Sequence, residues 1–149
     1  MPTVFDGKVL LAHHNPGDTP YLLVTFIGLY REDVADSVYL MKELVERAGL
    51  ACVGITTRVR NFYLHEEMDA IAGLVRDIRQ PGQKIIVVGQ SSAGFAAAKF
   101  ATLLQADYVL AFSPIFSAHA ADLGLDEGTE RESGFLKAAV RIHRIEPDV

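Results

Sequence analysis

Apolar and polar positions fall in blocks along the chain. Lys8-Val9-Leu10-Leu11-Ala12-His13 and Tyr21-Leu22-Leu23-Val24-Thr25-Phe26-Ile27 are apolar runs joined through Asn15-Pro16-Gly17-Asp18. Runs bounded by turn formers read as strands, and this short connection predicts a hairpin. From Asp33 onward the spacing changes, with Val34, Val38, Met41, Val45 and Ala48 recurring at offsets of 4, 3, 4 and 3 before Gly49. That is the stripe of an amphipathic helix stopped by glycine. Ala51-Cys52-Val53-Gly54-Ile55-Thr56-Thr57 is uncharged and β-rich, as a central parallel strand covered on both faces would be.

A second helical stripe runs through Leu64, Met68, Ile71, Val75 and Ile78. Asn61 is its expected cap, Glu66 and Glu67 sit near its positive end, and Pro81-Gly82 closes it. Lys84-Ile85-Ile86-Val87-Val88 predicts the next buried strand, Ala93 to Gln105 an Ala-rich helix, and Asp107-Tyr108-Val109-Leu110-Ala111-Phe112 another strand. Strands and helices alternate. The expected fold is α/β, a mostly parallel sheet in three layers with helices on both faces. After Pro114 the pattern weakens: Ala118 to Glu132 reads as loop with a short helix. Phe135 to Ile145 fits a helix through Phe135, Ala139 and Ile142, or a strand through the alternation of Val140 and Ile142 with Arg141 and His143; the strand is favoured.

The chain has 149 residues, which predicts one domain over 1–149, without repeats. Half of the residues are hydrophobic and 22% are charged, enough apolar material for a core. A net charge of -5, with Lys and Arg scattered singly, provides no basic stripe, so nucleic acid is not an expected partner. Cys52 is the sole cysteine, which excludes an intrachain disulfide and a thiolate metal cluster and suits a reducing cytoplasm. The N-terminus lacks a basic region followed by a long apolar run, and no uncharged stretch reaches the length of a membrane span, so neither secretion nor membrane insertion is expected. His13-His14 and His65 have no third ligand in register, so no metal is expected. GxGxxG and GxxxxGK[ST] loops are both lacking, which argues against a nucleotide or phosphate binder of Rossmann type and leaves no cofactor expected.

The chemistry concentrates at Gly89-Gln90-Ser91-Ser92-Ala93-Gly94, between a strand and a helix. A serine lifted above a sheet edge on a strained turn needs small residues around it, and Gly89, Ala93 and Gly94 supply them. Ala93 stands where glycine is usual. The plainer alternatives are that these residues only permit close strand-to-helix packing, or that the helix N-terminus holds an anion. Ser92 is the weaker candidate nucleophile, because Gln90 then occupies a position that calls for a small side chain.

Val87-Val88-Gly89-Gln90-Ser91-Ser92-Ala93-Gly94-Phe95-Ala96-Ala97 and Ala106-Asp107-Tyr108-Val109-Leu110-Ala111-Phe112-Ser113-Pro114 resemble the α/β-hydrolase superfamily. The second string is similar to hydrolase-like domains found with bacterial surface-polysaccharide and glycosyltransferase systems. The resemblance covers Tyr21 through Pro114 and implies a nucleophile elbow with Ser91 as nucleophile. It implies oxyanion donors from the backbone of Ser92 and from the loop near Gly28 or Leu29, where an ordinary strand-to-helix turn is the equal alternative.

The family's order is serine, acid, histidine. Asp148 lies just past the expected last strand, where the family places its acid, and is the penultimate residue. His119, five residues past Pro114, is the candidate base, against its commoner reading as a solvated loop histidine. His143 reads as an exposed strand residue. The chain thus looks short at the C-terminus, leaving truncation, an inactive relative or a different base as options. Arg58, Arg60, Asn61, Phe62 and Tyr63 follow a strand onto the same rim, there to bind an anionic or carbohydrate substrate or simply to pack and be solvated. The expected function is a serine hydrolase-like protein, a serine esterase or acyl hydrolase acting on a small-molecule ester, acyl group or carbohydrate; the alternative is a catalytically inactive binding module of the same fold. An uncovered sheet edge adds the expectation of a homo-oligomer.

Overall fold

The computed structural model describes residues 2–28, 38–59 and 61–115. Among them, six strands form one sheet: β1 (Thr3–Asp6), β2 (Leu10–Asn15), β3 (Tyr21–Phe26), β4 (Cys52–Thr57), β5 (Lys84–Gln90) and β6 (Tyr108–Phe112). Their order is β1-β2-β4-β3-β5-β6. Three helices accompany them, α1 (Lys42–Ala48), α2 (Glu67–Ile78) and α3 (Ser92–Lys99). β4, β3, β5 and β6 are mutually parallel, so the four apolar runs expected to share a parallel sheet do so.

The hairpin expected between β2 and β3 does not form. β4 lies between them, antiparallel to β2 and parallel to β3. Residues 15–20 instead carry the chain across the start of β4: Asn15 Nδ2 donates to the Leu50 carbonyl (2.8 Å), and the Ala51 N–H donates to Thr19 Oγ1 (3.2 Å). Leu22, Val24, Thr25 and Phe26 are fully buried, as a strand with neighbours on both sides and helices on both faces requires. The hairpin that does form is β1–β2, too short and too half-buried to stand out in the sequence. Its turn is tied down from α2, where the Glu67 carboxylate accepts the N–H groups of Lys8, Val9 and Leu10 at 2.7, 3.1 and 2.8 Å.

Val34, the start of the first stripe, lies outside the described residues, and over the described part of the stripe α1 begins later than expected. Val38 and Tyr39 are not helical, Met41 has φ 65°, and only Lys42–Ala48 winds, closing on Gly49 (φ 62°), whose N–H returns to the Val45 carbonyl. Asn61 does not cap α2. Its Oδ1 accepts the Tyr63 N–H (3.0 Å) in a local turn where Phe62 and Tyr63 take φ 54° and 63°, and the helix starts later, at Glu67. Asn side chains favour such local turns over continued helix. α3 ends at Lys99, and hydrogen-bonded turns carry the chain from there to Gln105.

Alternation along the strands divides the core. Leu10, Ala12, Leu22, Val24, Phe26, Val53, Ile55, Ile85 and Val87 meet Met68, Ile71 and Val75 of α2 and Ala93, Ala96 and Ala97 of α3. On the opposite face Cys52 meets Tyr39 and Val45 of α1. Helices therefore cover both faces. Among the described strands β1 and β6 stand at the two edges, and Tyr108, Val109, Leu110 and Phe112 of β6 are 39–56% exposed.

Candidate active site

Ser91 occupies the turn where β5 becomes α3, half-buried, with φ 58° and ψ -124°. A side chain rarely adopts this backbone, and holding it costs about 1–3 kcal/mol. Its surroundings supply the restraint. The Ser91 N–H donates to the Phe112 carbonyl at the end of β6 (2.9 Å), and the Ser91 carbonyl accepts the N–H groups of Gly94 (3.0 Å) and Ile115 (3.3 Å). Gly89 and Gly94 are small for packing reasons that can be named. A Cβ on Gly89 would run into the Ala93 carbonyl, and one on Gly94 would lie 3.1 Å from Pro114 Cα. The buried Ala93 is accommodated between them.

The loop leaving β3 comes to the same place. A Cβ on Gly28 would collide with the Gln90 carbonyl and lie 3.7 Å from Ser91 Cβ, and Ser92 Oγ donates to the Gly28 carbonyl (3.2 Å). Gly28, Ser91 and Ser92 are thus brought together. Ser92 opens α3, where helix geometry leaves the first N–H groups without carbonyl partners four residues back. Two aromatics read as rim residues prove to be supports. The Tyr63 hydroxyl accepts the Ile27 N–H (3.1 Å) and donates to the Ile27 carbonyl (2.8 Å), fixing the residue before Gly28. Phe62 packs edge-on against Phe95 of α3 at 5.5 Å. Arg58 is bonded to Asp6 (2.8 Å) and to the Gly7 carbonyl.

Beside Ser91 lies a cavity of about 290 Å³, walled among the described residues by Ile27, Gly28, Tyr39, Leu40, Met41 and Ser91, with Gln90 alongside. Tyr39 is buried, and burial first, then Cys52 and Glu46, push its hydroxyl above the ordinary tyrosine range, so it stays neutral. Burial likewise pushes the Cys52 thiol up to about 12 against the opposing hydrogen bond of Thr25, which makes it an inert core group. Sequence reasoning missed this wall, because Tyr39 and Leu40 belong to no period and Met41 read as part of the helical stripe that continues through Val45.

Two of the described histidines are engaged elsewhere. His13 is paired with Thr3 Oγ1 (3.3 Å) and stacks on Tyr39, and His65 Nδ1 accepts the Glu67 N–H (3.3 Å). His119, Asp148, His143, Leu29 and Arg60 lie outside the described residues. Among the described residues no three His, Cys, Asp or Glu side chains converge as a metal site would need, and no helix is long and apolar enough to cross a membrane.

No family model and no curated protein sequence matches the chain. Solved structures do match. The capsule O-acetyltransferase of Neisseria meningitidis serogroup A aligns with a TM-score of 0.68 at 13% identity, over 91% of this chain and 58% of its own. Esterase 2 of Thermogutta terrifontis aligns with a TM-score of 0.56 at 14% identity, over 91% of this chain and 58% of its own. The glycosylation-associated Gap123 complex of Streptococcus agalactiae aligns with a TM-score of 0.63 at 19% identity, over 79% of this chain and 24% of its own. The shared feature is the α/β-hydrolase-like fold, of which this chain spans less than three fifths of the length of the first two proteins.

Proposed function

We propose that the chain is a serine hydrolase-like protein whose Ser91 accepts an acyl group from an ester, through a nucleophile elbow at the β5–α3 turn. The observation that carries this reading is the φ 58° of Ser91, a strained backbone on a non-glycine residue at the end of a parallel strand. Such strain persists where the surroundings over-determine it and clusters at functional sites. The esterase and O-acetyltransferase among the structural neighbours support an acyl substrate, and a carbohydrate ester fits the same reading.

In the proposed reaction Ser91 Oγ attacks the ester carbonyl carbon and its proton passes to a base. The carbonyl π pair moves onto oxygen, where the backbone N–H groups of Ser92 and Gly28 stabilise it. Collapse breaks the bond to the alkoxy group, which leaves with a proton, and water then releases the acyl group. His119 is proposed as base on its place five residues past Pro114 and Asp148 as its orienting acid on its place past the expected last strand, in an order, histidine before acid, that reverses the family's.

Labelling with a fluorophosphonate probe tests the reading. Ser91 should label and Ser91→Ala should not. Should His119 act with Ser91, His119→Ala and Ser91→Ala lower ester hydrolysis by similar factors and the double variant is no worse, since residues acting as one unit are non-additive. A folded chain that refuses the probe returns the alternative, an inactive binding module.

A further inference from the structure

We infer that Ser113 is a positioning residue for the serine turn, acting through its backbone: it folds the end of β6 back so that Phe112 and Ile115 grip the peptide groups on both sides of Ser91. The inference rests on the reading of Ser91 as nucleophile and of the Ser92 N–H as oxyanion donor. Ser113 has φ 42°, in the left-handed region that a side chain rarely adopts. It also precedes Pro114, whose ring pushes the residue before it toward extended backbone. Two steric objections are thus overruled at an exposed residue. The Ser91 N–H, part of the peptide plane before its Cα, donates to the Phe112 carbonyl (2.9 Å). The Ser91 carbonyl, part of the plane after it, accepts the Ile115 N–H (3.3 Å) besides the Gly94 and Phe95 N–H groups of α3 (3.0 and 3.3 Å). Peptide groups are planar, so holding both planes fixes the φ and ψ of Ser91 between them. The plane that Ile115 holds carries the Ser92 N–H on its opposite side, so the same bond aims and polarises the proposed oxyanion donor. An extended Ser113 would carry Ile115 straight on past the sheet edge, away from Ser91.

The full chain and its Ser113→Val, Ser113→Ala, Ser113→Gly and Ser113→Asn variants are compared by labelling rate with a methyl fluorophosphonate, kcat and KM on p-nitrophenyl acetate, urea midpoint and amide hydrogen exchange. In labelling, the Ser91 Oγ–P bond forms, the P–F bond breaks, fluoride leaves and the hydroxyl proton passes to solvent. Valine resists a left-handed backbone, so Ser113→Val should label about ten- to a hundredfold more slowly, with the loss in kcat and KM unchanged. Its Ser91 and Ile115 amides should exchange faster while that of Ile27 keeps its rate. Ser113→Ala should fall between, and carries the test if the valine chain does not fold. Glycine and asparagine accept this backbone, so each should recover the rate to within about twofold of the natural chain. Valine and alanine chains at the natural rate, or glycine and asparagine chains as slow as valine, overturn the inference and leave the reactive serine standing. A labelled fraction that falls with the urea midpoint, at an unchanged rate for the folded chain, overturns it too, because a purely structural residue acts in that way. Labelling absent from every chain, the natural one included, overturns the serine reading instead. Hydrogen exchange then decides the grip: Ser91 and Ile115 amides quickened by valine and not by glycine support it, and unchanged amides overturn it.

Discussion

Ser91 and Gly89 sit two residues apart under opposite backbone demands, and substitutions separate them. Ser91 holds φ 58°, which glycine adopts freely, so Ser91→Gly should stabilise the chain by about 1 kcal/mol in urea unfolding while abolishing probe labelling. Gly89→Ala places a methyl against the Ala93 carbonyl and should destabilise by about 1–3 kcal/mol. Gly94→Ala meets Pro114 at the milder 3.1 Å and gains about 1 kcal/mol of helix propensity, so the same measurement should find it close to neutral. The need for a small residue at Gly89 was legible in its spacing from Ser91. Tyr39 was not legible, because a lone tyrosine outside any period gives no sign that it stacks on His13 of β2 and walls a cavity at β5.

At the scale of elements, one hydroxyl joins three segments. Tyr63 Oη binds both backbone groups of Ile27 after β3 and approaches the Ile55 carbonyl of β4 at 3.4 Å. Tyr63→Phe strands those buried groups, so it should cost about 1–3 kcal/mol and speed hydrogen exchange at the Ile27 amide more than at Val24. Unchanged exchange at Ile27 would show that the hydroxyl does not hold the loop. The sequence made the strands visible but not the pairing of β2. Turn residues such as Asn15-Pro16-Gly17-Asp18 announce a change of direction, while the partner is chosen by contacts distant along the chain, here Leu10 to Asn15 against Thr57 to Cys52. The same limit hid the start of α2, where the Asn61 side chain engages the Tyr63 N–H and delays the helix.

The whole molecule answers to acid through two carboxylates that staple distant segments. At Glu67, burial works to raise the pKa, but the N–H groups of Leu10, Lys8 and Val9 and the nearby His65 outweigh it and hold the carboxyl below its usual range. At Asp107 the Lys84 ammonium, the Ile85 N–H and Arg79 do the same against burial. A carboxyl that is more acidic folded than unfolded stabilises fully above its unfolded value, about 4, and loses that contribution as pH falls toward the folded value. Thermal midpoints should therefore drop as pH falls from about 5 toward 3, and Glu67→Gln with Asp107→Asn should start lower and fall less steeply. The parallel sheet was legible because four apolar runs alternate with helical stripes. The proposed partners of Ser91 were less legible, since His119 and Asp148 carry no local pattern and stand in the reverse of the family's order. β6 is an apolar strand, Tyr-Val-Leu-Ala-Phe, free of lysine and proline, and its outer edge has no strand beside it among the described residues. Such a strip is a template for cross-β stacking, so solubility should have a sharp concentration ceiling, and Val109→Lys, a single gatekeeper charge, should raise it in light-scattering titrations without altering the serine turn.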